Sequence, residues 1–183
     1  IEKTGFPTRK WEDWRFTNVS IISDGEYKIS EISDAPQTTP NISAYKMEGV
    51  DTVVIYNGHY QKELSSVPDG VALLSGLEHF ERKNGKFETT NKSPFDLLNT
   101  AFTDSGMCIV VEKDSQVEIP NCILFISNGY MLIMVNPRVY IDVAESSSLT
   151  FMEHRVGDAE SFFQNESVFI SLGNNTQFNH IRI

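Results

Sequence analysis

The sequence predicts a mainly β fold, with a mixed α+β region over residues 1–105 and a run of strands that repeats over residues 106–183. Two observations carry this. A pattern of alternating apolar positions, five intervening residues and a further alternating pair occurs three times: Ile109-x-Val111 with Val117-x-Ile119, Ile141-x-Val143 with Leu149-x-Phe151, and Ile170-x-Leu172 with Phe178-x-His180. Val111 to Val143 is 32 positions and Val143 to Leu172 is 29, a near-constant period of the kind that stacked β-coils produce. The chain also changes character near residue 105: short mixed elements and polar breaks give way to almost continuous strand pattern. Pattern alone leaves a second architecture open, because alternating pairs about a five-residue loop also describe the hairpins of a β-sandwich. His180 stands where the third copy would otherwise end on an apolar residue.

In chain order, Arg9 to Thr17 reads as a helical turn in which Trp11 and Trp14 share a face and Arg9 can pair with Glu12 beside them. Ser33 to Ser43 reads as a loop, since Pro36 and Pro40 prevent regular pairing. Thr52 to Tyr56, followed by Asn57-Gly58 and HYQKEL, is a hairpin signal, because Asn-Gly accommodates two positive φ angles. Ser75 with Glu78 three residues on forms a capping box ahead of LEHFERK. Ser93-Pro94-Phe95-Asp96 supplies a cap, a proline at the first helical position and an acid at the positive end of the helix dipole. The helix PFDLLNTAF that follows carries Phe95, Leu98 and Phe102 on one face, ends before Asp104-Ser105-Gly106, and is expected to cover the start of the coil. From Met107 the strands read MCIVV, QVEI, CILFIS, YMLIMV, RVYIDV, SLTFME, SVFISL and QFNHIRI. Several are apolar on both faces, as strands covered on two sides are.

The 183 residues suffice for one good core or two small ones. A net charge of −10 argues against nucleic acid, because phosphate binding needs clustered cations and Glu12 and Asp13 interrupt the group Arg9, Lys10 and Arg15. No apolar run approaches the length that spans a bilayer, and IEKTGFPTRK lacks the apolar core of a signal peptide, so the chain reads as soluble. It begins with Ile rather than Met, which reads as a trimmed start. Cys108 and Cys122, fourteen apart and without Cys-x-x-Cys spacing or a nearby His at ligand spacing, read as reduced structural thiols of a cytosolic protein. Asn18, Asn41, Asn165 and Asn174 each begin a glycosylation triplet, which pulls weakly toward secretion.

The chemistry is sparse. His59, His79, His154 and His180 form no HExxH or His-x-His arrangement and read as surface or packed residues. There is no GxSxG elbow, Walker loop or GxGxxG motif, and Asn84-Gly85-Lys86 is a plain turn. Asp142, Glu145, Glu153 and Asp158 have the composition of a glycosidase pair or a Ca²⁺ ledge, but they do not recur at one position per coil and read as a solvated outer face. Arg138 and Arg155 read as surface ion-pairing residues. No catalytic, cofactor-binding or metal-binding residue is predicted.

The segment Gly5-Phe6-Pro7-Thr8-Arg9, followed by Glu12-Asp13-Trp14 and Phe16-Thr17, resembles the N-terminal signature of the SufD branch of the SufB/SufD iron-sulfur cluster assembly family. The similarity continues through Val53 to Val71 and through Phe95 to Val111, where Asn99-Thr100-Ala101-Phe102 precedes a glycine and an apolar strand. The resemblance implies that the repeat is the start of a right-handed parallel β-helix. It implies a non-catalytic cytoplasmic scaffold that works with a SufB-like subunit and a SufC-like ATPase, in a complex handling an iron-sulfur cluster and a flavin. Family members are longer, and the Cys and His residues tied to their clusters lie in a later part, so the chain is expected to be a fragment with no cofactor of its own. Uncapped coil ends make end-to-end self-pairing a further expectation. The competing readings are a secreted carbohydrate-active or carbohydrate-binding β-helix and a β-sandwich binding module.

Overall fold

The computed structural model describes residues 5–31, 41–83, 85, 93–103, 106–128, 132–157 and 162–183. Its strands are β1 (Lys28–Ile29), β2 (Asp51–Tyr56), β3 (His59–Tyr60), β4 (Val71–Ser75), β5 (Gly106–Val111), β6 (Asn121–Ser127), β7 (Ile133–Val135), β8 (Arg138–Val143), β9 (Ser148–Gly157), β10 (Phe162–Gln164), β11 (Ser167–Leu172) and β12 (Gln177–Arg182). Helices α1 (Ser20–Ser23), α2 (Gly76–Arg82) and α3 (Pro94–Phe102) intervene, with 3-10 turns at Glu12–Trp14 and Lys62–Leu64. The chain is therefore mostly β, as expected, and its sheets mix parallel and antiparallel pairs. Most of the Ser33 to Ser43 loop, the flanks of the Asn84-Gly85-Lys86 turn, Asp104-Ser105, the head of the YMLIMV strand and Asp158 lie outside the described residues. Among the described residues, no helix is long and apolar enough to cross a membrane.

From β5 onward the chain visits three sheets in rotation. β5, β8 and β11 lie side by side in parallel, as do β6, β9 and β12, and β7 and β10. The register reproduces the repeat read from sequence: Ile109 pairs with Ile141 and Ile141 with Ile170, while Val111 pairs with Val143 and Val143 with Leu172. Sandwich hairpins would pair these strands antiparallel. In-register parallel stacking puts like positions above one another, so period-2 alternation closes a single interior. Met107, Ile109, Val111, Val139, Ile141, Val143, Leu149 and Phe151 meet there with Val53, Ile55, Ile123 and Phe125.

The corners repeat as faithfully as the strands. Asp114, Ser146 and Asn175 occupy the third place of the three five-residue corners, and all are left-handed, with φ of 64°, 60° and 55°. Short polar side chains tolerate that conformation better than other non-glycine residues. Stacking joins the corners through backbone bonds from Asp114 N to Glu145 O and from Ser146 N to Asn174 O.

Elsewhere the expectations need correction. Gln116 bridges Ser148, but the next ladder pair is Asn121 with Phe151, so five steps of chain face three. Pro120, which has no N–H to give a ladder, sits in the bulging stretch, and Ile119 is 46% exposed rather than interior. The α3 helix does not cover the start of the coil. Strands flank it instead: β2 runs parallel to β6, and β4, which no sequence signal marked, runs antiparallel to β5.

Helix α3 lies along the corners. Asn99 Nδ2 donates to the carbonyls of Pro137 at 3.1 Å and Asn165 at 2.7 Å, and Asn165 Nδ2 donates to Phe95 O at 2.8 Å. Corner carbonyls outside the ladders need such donors. The inner stripe of α3 is accordingly partly polar, and Phe102 is 40% exposed.

Local signals held where they were specific. Asn57 and Gly58 take φ of 46° and 88° between β2 and the antiparallel β3. Ser75 and Glu78 make the reciprocal capping box at α2, and Ser93 caps Phe95 N with Pro94 at the first turn of α3. The two-sided burial expected of the strands is present: outside the main interior, Val54, Tyr56, Leu124 and Ile126 pack with Ile42, and Cys108, Val110 and Tyr140 form a further cluster.

Candidate functional site

The inner face of the coil turns from apolar to charged along its length. In one column Val53 pairs with Ile123, Ile123 with Glu153 and Glu153 with Arg182; in the next, Ile55 pairs with Phe125 and Phe125 with Arg155. Leu149, Phe151 and Glu153 alternate along β9, so the carboxylate continues an interior row and is fully buried. It was expected on a solvated outer face. That reading followed residue type, whereas the period-2 alternation already placed Glu153 inside.

A buried carboxylate persists only with partners. Glu153 accepts hydrogen bonds from Arg155 and, at 3.3 Å, from Arg182 Nε, and it shares one of 2.6 Å with His180 Nε2. Arg155 Nε donates to Glu166 at 2.6 Å, and Gln164 also donates to Glu166 while accepting from Ser127 Oγ at 3.0 Å. The Arg155 guanidinium lies 5.3 Å from the centre of the Phe125 ring, where the charged layer meets the apolar one. Arg155 is thus a one-third exposed hub rather than a surface pairing residue.

Burial pushes the Glu153 carboxyl up, yet the bonds from Arg155 and His180 and the charges of Arg155 and Arg182 outweigh it and hold the group below its ordinary value. Burial likewise acts to lower Arg155, but Glu166 and Glu153 reverse this and hold it firmly protonated. A glycosidase acid requires the opposite, a carboxyl raised by its surroundings. Chemically the cluster is a charge-balanced interior clamp. It extends onto β12 through His180 and Arg182, and β11 and β12 each pair on one edge only among the described residues. Ile170, Leu172 and Ile181 are exposed on these strands.

The other candidates separate cleanly. Arg138, expected on the surface, is 2% exposed: Nη1 donates to Asn99 Oδ1 at 3.1 Å and Thr100 Oγ1 at 2.9 Å, Asp96 lies 3.7 Å from Nη2, and the guanidinium sits 4.7 Å from the Phe169 ring centre. Helix α3 buries it. Glu145 faces solvent and pairs with Lys113, whereas Asp142 points out of the coil toward Lys83 and His79. His59 is buried against Ser30 Oγ at 3.1 Å. Trp14 packs on Phe95 at 5.3 Å between ring centres, while Trp11 stays 37% exposed.

Cys108 and Cys122 are buried free thiols, and burial pushes the Cys122 thiol up to about 11. The residues able to hold a metal ion among those described are His79, Cys108 and Asp142, which offer one donor atom each within 4.8 Å of one another. Sequence reasoning missed them because 29 and 34 positions separate them along the chain. The coil register was the signal that could have brought them together.

The comparisons with known proteins agree with one another. The family model described as the SufBD protein N-terminal region matches residues 1–123. Over 186 aligned residues the chain is 24% identical to the iron-sulfur cluster assembly protein SufD of Escherichia coli (strain K12), which covers 99% of this chain and 43% of that protein. The chain therefore spans less than half the length of this relative.

Proposed function

The chain belongs to the SufBD family through its N-terminal region, and from that premise we propose that it serves in a SufD-like, non-catalytic scaffold subunit of iron-sulfur cluster assembly. The match over residues 1–123 carries this reading. The parallel ladders support reading residues 106–183 as the first coils of a right-handed parallel β-helix built on a mixed α+β region over residues 1–105. In this reading the cluster, and the flavin of the complex, are handled by the whole assembly. The partners are a SufB-like subunit and a SufC-like ATPase, ATP is hydrolysed on the latter, and the setting is cytoplasmic.

The interior chemistry fits a scaffold. Glu153, Glu166, Arg155 and Arg182 neutralise one another, and the lowered Glu153 carboxyl is unsuited to general-acid work. The carbohydrate reading also loses its support at Asn165, whose amide nitrogen donates to both Phe95 O and Asn136 Oδ1; a glycan on that nitrogen would replace one of the two donated hydrogens. The test is co-purification of the tagged complete protein from cells expressing its genomic neighbours. Recovery with a SufB-like chain and an ATPase is the expected result. Capture of neither, with the bait folded, overturns the scaffold assignment.

A further inference from the structure

We propose that His79, Cys108 and Asp142 form a mononuclear site for a thiophilic divalent cation of the Zn²⁺ class, on the outer face of the coil beneath α2. The backbone brings the three together. Cys108 pairs with Tyr140 in the β5–β8 ladder, so Cys108 and Asp142 are diagonal neighbours on the same outward face, two residues apart in register. Helix α2 lays His79 over them. The helix can approach this closely because its first residue is Gly76 and β5 begins with Gly106: a Cβ on Gly76 would lie 2.8 Å from Gly106 Cα.

The donors are held in place. The His79 ring stacks on Tyr140 with centroids 4.0 Å apart and planes 23° apart, and its Nδ1 is 3.8 Å from Asp142 Oδ2. His79 and Cys108 are 2% and 0% exposed, while the Asp142 side chain is 23% exposed and gives the site its opening to solvent. All three donor atoms lie within 4.8 Å of one another. Tetrahedral Zn²⁺ with bonds of about 2.0 to 2.3 Å needs its ligands roughly 3.3 to 3.8 Å apart. His79 Nδ1 and Asp142 Oδ2, 3.8 Å apart, already meet that spacing, which leaves about 1 to 1.5 Å at most to close toward Cys108 Sγ.

The donor set selects the ion. Thiolate and imidazole favour Zn²⁺ and its late first-row neighbours over Mg²⁺ and Ca²⁺, which take oxygen. A thiolate, a carboxylate and a divalent cation sum to zero charge, which a mostly buried position tolerates. Lys83 Nζ, 3.4 Å from Asp142 Oδ2, balances the carboxylate in the ion's absence and is positioned to swing outward when the ion binds. Three protein ligands leave a fourth position, on the Asp142 side, for water or a donor from a partner. The bound ion would tie α2 to β5 and β8. None of this depends on the scaffold role.

The test is titration of the reduced full chain with Co²⁺ as a spectroscopic probe. One equivalent is expected to give a thiolate-to-cobalt charge-transfer band that Zn²⁺ displaces. Cys122→Ala should retain the band, Cys108→Ser should lose it, and Asp142→Asn, altered at the site's solvent side, should bind Co²⁺ at least tenfold more weakly. A folded chain without the band, a band that survives Cys108→Ser, or unchanged Co²⁺ affinity in Asp142→Asn overturns the site. The Asp142→Asn arm decides the matter should Cys108→Ser fail to fold.

Discussion

The first turn of the coil and the two that follow it share a backbone plan and differ in what fills it. Around β5 and β6 the interior is Ile109, Val111, Ile123 and Phe125, flanked by β2 and β4, and the strands are buried almost throughout. Across β9 and β12 the Ile123 and Phe125 columns hold Glu153, Arg182 and Arg155, with His180 one column over above Phe151, and β11 and β12 are half-buried or exposed. The first turn is held by apolar burial, which has no charge to titrate or to screen. The later turns rely, where β9 meets β12, on paired charges, whose desolvation cost is repaid only while every partner stays in place. The difference shows that a parallel ladder fixes geometry without dictating the filling.

The comparison is broken most severely at the apolar end. Phe125→Ala, which empties a fully buried ring site beneath Arg155, should cost about 4 kcal/mol in denaturant unfolding. That loss should be the same at low and high salt. Glu153→Gln keeps the shape but strands Arg182 and half of Arg155; about 2 kcal/mol is expected, less than a buried pair usually costs because Glu166 still holds Arg155.

Acid sharpens the contrast. The folded Glu153 carboxyl titrates below its ordinary 4.5, so its contribution is complete above that value and drains away as the pH falls through the folded one. The stability gap between wild type and Glu153→Gln should therefore narrow below about pH 4.5. The Phe125→Ala gap should not narrow. The smallest effect is at a corner: Ser146→Gly relieves a left-handed serine but loosens the unfolded chain, for a net gain of about 0.5 kcal/mol in thermal unfolding.

The same contrast explains what the sequence made legible. Where an interior position was apolar, as at Ile109, Ile141 and Leu149, period and residue type agreed and the register could be read directly. At Glu153 and Arg138 they disagreed, and trusting residue type misplaced both. Ile119 failed for a different reason, because the two added residues before Asn121 and the missing N–H of Pro120 are local events that a repeat averages away. The His79, Cys108 and Asp142 cluster depends on a helix folding back over two strands, and no local pattern encodes that contact. The resemblance of the N-terminal segment to the SufB/SufD family was legible because it rests on contiguous residues.

The stacked left-handed corners at Asp114, Ser146 and Asn175 make that edge of the coil a ruler. The pairing offset is 32 residues from β5 to β8, 30 from β6 to β9 and 29 from β7 to β10, so all the slack of the longer first turn lies between Gln116 and Ile133. Two sides of the triangle can therefore lengthen or shorten while the third keeps count. An epitope or reporter peptide grafted between Val117 and Pro120 should leave the strands in step, whereas the same insertion between Glu112 and Gln116 would shift every rung that follows.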